Sequence, residues 1–231
     1  MKITKRSPEK SRPEIFLVPK PLQVLRALAI CFLVSQGFFN AQCLGEEKTL
    51  VDIEKINPRI RIEIRYATTN NFMKEILYPA PRALALPEVA QSLSRIQEKL
   101  EKEGLGLKIF DAYRPLSVQK KMWKKFPIEG YIANPLKGSN HNRGAAVDLT
   151  LVDKDGKELP MPSEYDEFSE RAHQDYAVGP EELRNNRKIL REAMEREGFK
   201  AITTEWWHYD YKDAKNYPVL DLPFESVEEK E

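Results

Sequence analysis

KGSNHNRGAAVDLTLVDKDG, residues 137–156, holds an apolar run that a single charged side chain interrupts. Ala145 to Val152 is apolar apart from Asp148 and Thr150, so the run is expected to form a strand, and DKDG after it is a hairpin turn signal. An aspartate inside such a strand is costly to desolvate unless a partner compensates it. Seven residues earlier stands His141, between Gly138 and Gly144, which allow tight backbone turns.

Working outward, Leu107–Phe110 is a short apolar strand that runs into DAYRP, and Ile60–Tyr66 alternates apolar and charged residues as a half-buried strand does. Pro87 to Glu103 reads as a helix. Pro87 suits its first turn, Val89, Leu93, Ile96 and Leu100 form one apolar stripe, and Gly104 can end it. Ser117 to Lys125 reads as a second helix capped by Ser117, and Glu181 to Glu197 as a third, with Leu183, Leu190 and Met194 inward and Gly198 as its stop. Phe199–Ile202 and Trp206–Tyr211 are expected as closing strands. The order lacks a regular βαβ rhythm, which implies an α+β fold: a small, mostly antiparallel sheet with packed helices. The last dozen residues, around LPFESVEEKE, are expected to fray.

The chain has 231 residues with 37 basic and 36 acidic side chains, a net charge of +1, which gives no electrostatic reason for a nucleic-acid partner. Two parts are expected: residues 1–45, a basic segment with a signal- or anchor-like apolar run, and residues 46–231, one domain of roughly 185 residues with a proper core. The first part carries Lys2, Lys5, Arg6, Lys10, Arg12, Lys20 and Arg26 against Glu9 and Glu14, then the apolar run Ala27–Val34. This is the order of a secretory signal, and the run is too short to span a bilayer comfortably. Export to the periplasm, with Cys43 as a possible lipid anchor and membrane tether, is the expectation; a cytoplasmic protein with a basic arm is the alternative. The sequence does not indicate an oligomeric state.

Both cysteines, Cys31 and Cys43, fall in the first part, so the body has no thiol for a nucleophile, a disulfide or a thiolate metal site. A metal there needs imidazole and carboxylate, and the chain has three histidines: His141, His173 and His208. His208 lies in TEWWHY, three residues after Glu205 and beside Trp206 and Trp207, which exclude water. Two imidazoles and one carboxylate, His141, His208 and Asp148, are a catalytic zinc set that leaves a fourth position for water. Glu205 is then placed to move the proton of that water. Residues three apart lie on opposite faces of a regular strand, so Glu205–His208 must bend to serve one site. The plainer alternative is a satisfied His–Asp pair. His173 lacks an acid-and-glycine context and reads as structural or exposed. Asp111 is either a strand-end cap or a group that orients a neighbour, with the cap favoured.

SNHNRGAAVDLTL with EWWHY resembles the paired signature of the M15 zinc peptidases, S-x-H-x-x-G-x-A-x-D and E-x-W-H. RYATTNNF (65–72), FDAYRP (110–115) and MPSEYDEFS (161–169) resemble the VanX-like D-alanyl-D-alanine dipeptidase branch. The resemblance implies the M15 fold and cleavage of D-alanyl-D-alanine, with one zinc on His141, Asp148 and His208, Glu205 as catalytic base and Arg114 stabilising the oxyanion. Tyr66, Ser139 and Asp166 match positions that hold the small substrate, an acid for its ammonium and hydroxyls for its carboxylate. Their alternatives are a core tyrosine, a loop-shaping hydroxyl and a turn acid. Trp206 and Trp207 line or back the site. In NNFMKE, Lys74 replaces a glycine of the pattern in a loop that could border the pocket. Two other functions fit the same fold: a carboxypeptidase acting on peptidoglycan stem peptides, and a non-catalytic zinc-stabilised binding module.

Overall fold

The computed structural model of the protein describes residues 50–227. The segment 1–45, with its apolar run, Cys31 and Cys43, lies outside the described residues, as do residues 228–231. Among the described residues no helix is long and apolar enough to cross a membrane.

The strand built around Asp148 is β5 (Ala146–Asp153), the centre of a five-stranded sheet. On one side it pairs antiparallel with β4 (Leu105–Asp111), which pairs parallel with the two-residue β2 (Arg61–Ile62). On the other it pairs antiparallel with β7 (His208–Tyr211), and β6 (Phe199–Ala201) closes that edge. A separate two-stranded sheet joins β1 (Val51–Asp52) to β3 (Leu84–Ala85). The sheet is mostly antiparallel and the fold α+β, as the sequence implies. Ile60–Tyr66 gives less strand than its alternation implies: after Ile62 the chain turns, and Arg65–Ala67 is a 3-10 helix.

The helices are α1 (Ile53–Ile56), α2 (Pro87–Leu100), α3 (Leu116–Lys125) and α4 (Glu181–Arg196). Helix α2 starts on Pro87, continues as a 3-10 turn, and ends at Gly104 in the left-handed region at φ +74°. Its apolar stripe, Val89, Leu93, Ile96 and Leu100, is buried, as are Leu190 and Met194 of α4; each such aliphatic contributes about 1.5–3 kcal/mol. Val147, Leu149 and Leu151 of β5 join that core, and the two-residue period turns Asp148 and Thr150 to the opposite face. Helix α3 is not capped by Ser117. Pro115 precedes it, and the Ser117 N–H donates 2.8 Å to Asp221 Oδ1 from the C-terminal segment.

The described part of the expected tail, residues 220–227, is not frayed. Residues 217–227 run across the domain as a strap, with Phe224 and Val227 buried. The Leu220 N–H donates to Asn142 O (2.8 Å) and the Leu116 N–H to Leu220 O (3.2 Å). The Tyr113 hydroxyl donates to Leu222 O and accepts from the Leu222 N–H, and Arg82 Nη1 donates to Phe224 O and Val227 O. The segment's Pro, Glu and Ser content hid two apolar anchors and a half-buried arginine that donates to its carbonyls.

Candidate active site

Sheet register assembles the site. Asp148 of β5 stands opposite Asp111 of β4 and opposite His208 of β7, so three side chains from three strands project in one row. An irregularity between Ile109 and Asp111 brings Asp111, rather than Phe110, opposite Asp148. His141 enters from a 3-10 turn (His141–Arg143) that Gly144 ends at φ +64°; a Cβ there would come within 2.5 Å of Leu50 and 3.3 Å of the Leu86 nitrogen. Glu205, Trp206 and Trp207 are not strand. The chain turns before His208 opens β7, which removes the opposite-face problem and lets Glu205 Oε2 approach His208 Nδ1 to 3.9 Å.

His141 Nδ1 lies 2.7 Å from the Ala112 carbonyl, which can only accept, so Nδ1 carries the proton and Nε2 presents its lone pair. His208 Nε2 lies 2.9 Å from Asp210 Oδ1, so by the same assignment Nε2–H donates and Nδ1 is the free acceptor. Those two free nitrogens face each other at 3.1 Å, with Asp148 Oδ1 3.3 Å from the first and 3.0 Å from the second. Three buried acceptors converging on one point repel unless a proton or a metal ion sits among them. His141, Asp148 and His208 therefore form a cluster that can hold a metal ion, and the donor set fits zinc. Tyr165 donates from its hydroxyl to Asp148 Oδ2 at 3.0 Å and fixes the carboxylate's other oxygen. Burial lowers the His208 imidazole, but its bonds to Asp148 and Asp210 outweigh that and hold it well above the usual histidine value. Burial raises Asp148, yet the two imidazoles pull it below the ordinary carboxylate range.

A cavity of about 310 Å³ opens beside this cluster, lined among others by Tyr66, Arg114, Ser139, Asp166, Glu205 and Trp207. The candidate metal-binding, catalytic and substrate-binding residues implied by the motifs thus meet at one place. Glu205 is only 7% exposed, and burial, opposed by His208 and reinforced by Asp148 and Asp166, pushes its carboxyl up to about 8. Asp166 adopts the left-handed backbone at φ +62° and accepts from the Tyr66 hydroxyl (3.1 Å) and the Phe72 N–H (3.3 Å). Burial, with Asp148 adding, pushes it up to about 7. Tyr66 is both core and cavity wall, and its hydroxyl proton is committed to Asp166 rather than free. Ser139 shapes its loop by accepting from the His141 N–H (3.2 Å) and also lines the cavity, its own hydroxyl hydrogen having no acceptor among the described residues. Trp207 lines the cavity, whereas Trp206 backs it, buried against Trp207 and donating to Ser163 Oγ at 3.0 Å.

Arg114 is buried with its guanidinium over the Tyr66 ring. Nε and Nη2 both donate to Asp111 Oδ2 (3.1 and 2.7 Å), and Nη1 donates to Gln119 Oε1 (2.8 Å). Asp111 is therefore no strand cap. Fully buried, it anchors Arg114 with one oxygen and accepts from the Tyr78 hydroxyl (2.7 Å) with the other. Burial would lower the guanidinium pKa, but Asp111 keeps it well above the usual arginine value. His173 meets the Tyr131 hydroxyl at 3.2 Å and is structural. Lys74 adopts a left-handed backbone, at φ +56°, of the kind that favours glycine, and does not line the cavity.

Sequence reasoning missed Asp210, Tyr165 and Gln119. Asp210 had a usable signal, since two residues past His208 on a strand is the same face. Tyr165 and Gln119 had none beyond their place near a motif.

The M15 peptidase family model described as D-ala-D-ala dipeptidase matches residues 46–228. The D-alanyl-D-alanine dipeptidase of Escherichia coli (strain K12) is 36% identical over 177 residues, 77% of this chain and 92% of that protein. The D-alanyl-D-alanine dipeptidase of Enterococcus faecium is 33% identical over 198 residues, 74% of this chain and 96% of that protein. Among solved structures, a vancomycin resistance D,D-dipeptidase, VanXYg, in complex with a D-Ala-D-Ala phosphinate analogue aligns with a TM-score of 0.37 and 21% identity, over 72% of this chain and 69% of that one.

Proposed function

The chain belongs to the M15 peptidase family of D-alanyl-D-alanine dipeptidases, and from that we propose that it hydrolyses D-alanyl-D-alanine to two D-alanines, using one zinc ion held by His141, Asp148 and His208. The observation that carries the mechanism is the convergence of three lone-pair donors beside a buried glutamate and an anchored arginine in one small cavity. Bound there, zinc would supply Lewis acidity toward a carbonyl and make water more acidic.

The protein's own groups perform the rest. As water oxygen bonds to the scissile carbonyl carbon, the Glu205 carboxylate takes its proton and then delivers it to the leaving nitrogen as the C–N bond breaks. Burial suits the task, because a carboxyl raised toward neutral pH both accepts and returns a proton. Of the five N–H groups of Arg114, Asp111 engages two and Gln119 one, so two have no partner among the described residues to keep them from the developing oxyanion. Asp166 receives the dipeptide's ammonium, and Ser139 donates its free hydroxyl hydrogen to the carboxylate. Tyr66 acts on the ammonium end, steadying Asp166, rather than on the carboxylate.

Export to the periplasm, or anchoring at the membrane facing it, extends the proposal. The basic stretch over residues 2–26 followed by Ala27–Val34 supports it. Cell fractionation tests this, and an unprocessed chain in the cytosolic fraction would replace it with the cytoplasmic reading. For the activity, the zinc-loaded full chain is given D-alanyl-D-alanine and, separately, a stem pentapeptide ending in the same pair. Free D-alanine from the dipeptide alone is expected. Release from the pentapeptide would make the protein a carboxypeptidase, and release from neither would make the site a binding module.

A further inference from the structure

Arg114 is anchored in an incomplete way. Both of its bonds to Asp111 end on one oxygen, Oδ2, rather than on the two oxygens of a fork, so the guanidinium could still pivot about that atom. The opposite nitrogen, Nη1, donates to Gln119 Oε1 at 2.8 Å, and this third point removes the pivot. Gln119 is fully buried on α3, and its other amide atom is also used: Nε2 donates to Ala133 O at 2.8 Å. Ala133 belongs to the stretch that lines the cavity with Gly130, Tyr131 and Ile132. That stretch is held elsewhere by the Thr204 hydroxyl, which donates to Gly130 O at 3.1 Å, and by Tyr131 against Phe168 and His173. A carboxamide accepts from a guanidinium and donates to a carbonyl at once through two separate atoms; a carboxylate lacks the donor and an ammonium lacks the acceptor.

We propose that Gln119 is the positioning residue of the reaction: it locks the orientation of Arg114 toward the oxyanion and ties that orientation to the cavity wall at Ala133. The inference rests on the dipeptidase reading and adds a residue that touches neither substrate nor metal. Two effects follow from its two bonds. Loss of the acceptor lets Arg114 swing and lowers kcat, because misplacing a group that acts on the transition state leaves ground-state binding largely intact. Loss of the donor frees the wall and raises KM.

The test is a double-mutant cycle in the zinc-loaded full chain, with Gln119→Met, Arg114→Ala and the pair. Methionine keeps the volume and removes both hydrogen bonds. Wild-type turnover of D-alanyl-D-alanine comes first, so that failure of the dipeptidase reading registers there and not in the cycle. Gln119→Met should lower kcat by about 10- to 100-fold in the wild-type background and by less than about 2-fold once Arg114 is alanine. A merely structural role would cost the same in both backgrounds. That result, or an unchanged kcat in the single variant, would overturn the inference. Should Gln119→Met lack a cooperative melt, Gln119→Glu decides: it keeps the acceptor for Arg114 and loses the donor for Ala133. A raised KM with kcat within about 3-fold of wild type is then expected, and a deeper fall in kcat would overturn the inference.

Discussion

Replacing Asp111 by asparagine removes one charge and leaves nearly every atom in place. The amide oxygen can take the position of Oδ2 and keep both bonds from Arg114, at 3.1 and 2.7 Å in the native protein. The amide nitrogen then faces Tyr78, whose hydroxyl turns from donor to acceptor. No hydrogen bond need be lost, so the cost is that of the charge. Arg114 keeps its charge, so the two bonds remain charge-assisted from one side only; losing the carboxylate's share of about 1.5–3 kcal/mol per bond costs about 2 kcal/mol over the two. Removing one partner of a buried pair outright costs about 3–5 kcal/mol. Asp111→Asn should therefore destabilise the fold by about 2–4 kcal/mol. Asp111→Ala should cost about 1–3 kcal/mol more, because the Tyr78 hydroxyl then has no partner. The assay is urea unfolding at pH 7 with a chelator present, so that metal binding to the native state does not mask the difference. The midpoint should fall while the slope stays constant. An Asp111→Asn variant within about 1 kcal/mol of wild type would show that the carboxylate is not the counter-ion of Arg114, and the account of how Arg114 is held would fall with it.

Glu205→Gln preserves shape and burial but cannot carry a proton, so kcat should drop by about 10²- to 10⁴-fold at unchanged zinc content and nearly unchanged KM; steady-state kinetics with metal analysis checks this, and a variant retaining a tenth of the rate would remove Glu205 from the mechanism. Asp210→Ala leaves the His208 Nε2–H without its acceptor, so zinc affinity, read by competition with a chromogenic chelator, should weaken by about 10- to 100-fold. Asp166 bears on the pH dependence of the apoprotein, since its carboxyl is raised from 3.8 to about 7 by burial and by Asp148. The folded state then holds a proton that the unfolded state has released. The associated stability is complete below about pH 4 and is lost as pH rises through about 7. Asp166→Asn should flatten that slope and make the apoprotein more stable than wild type at pH 8, by at most on the order of 4 kcal/mol, while raising KM; asparagine tolerates the left-handed backbone there. Equal pH slopes in chelator-treated wild type and variant would refute the assignment.

The elements legible in the sequence were those where periodicity reports burial directly. The stripe of α2, the alternation around Asp148 and the glycine stops at Gly104 and Gly198 each act within one segment, and each stands in the structure. Residues of the candidate site were legible too, because their chemistry is unusual for their surroundings: an aspartate in an apolar strand, and a glutamate and histidine among tryptophans. Groups that act through another residue were not. Asp111 looked like a cap because its partner at Arg114 becomes visible only when α3 packs and burial removes water from both. Gln119 looked like any helix residue, since nothing local shows that its two amide atoms meet an arginine and a carbonyl from the loop after α3. The closing segment looked disposable for the same reason: its partners, Arg82, Tyr113 and Asn142, are separated from it by 78 to 145 residues of chain.

That last arrangement bears on when the protein becomes an enzyme during its own synthesis. Asn142 donates to the Arg114 carbonyl through Nδ2, accepts the Ser139 N–H through Oδ1, and takes the Leu220 N–H on its own carbonyl. The turn that presents His141 is therefore buttressed by residues made some eighty positions later. Helix α3, which carries Gln119, likewise awaits Asp221 at its first turn. A ribosome-bound chain that has produced all the metal ligands and Glu205 still lacks the residues that brace them. Assembly of the site therefore waits on the closing segment, and metal binding is expected to follow the docking of residues 220–227 rather than precede it.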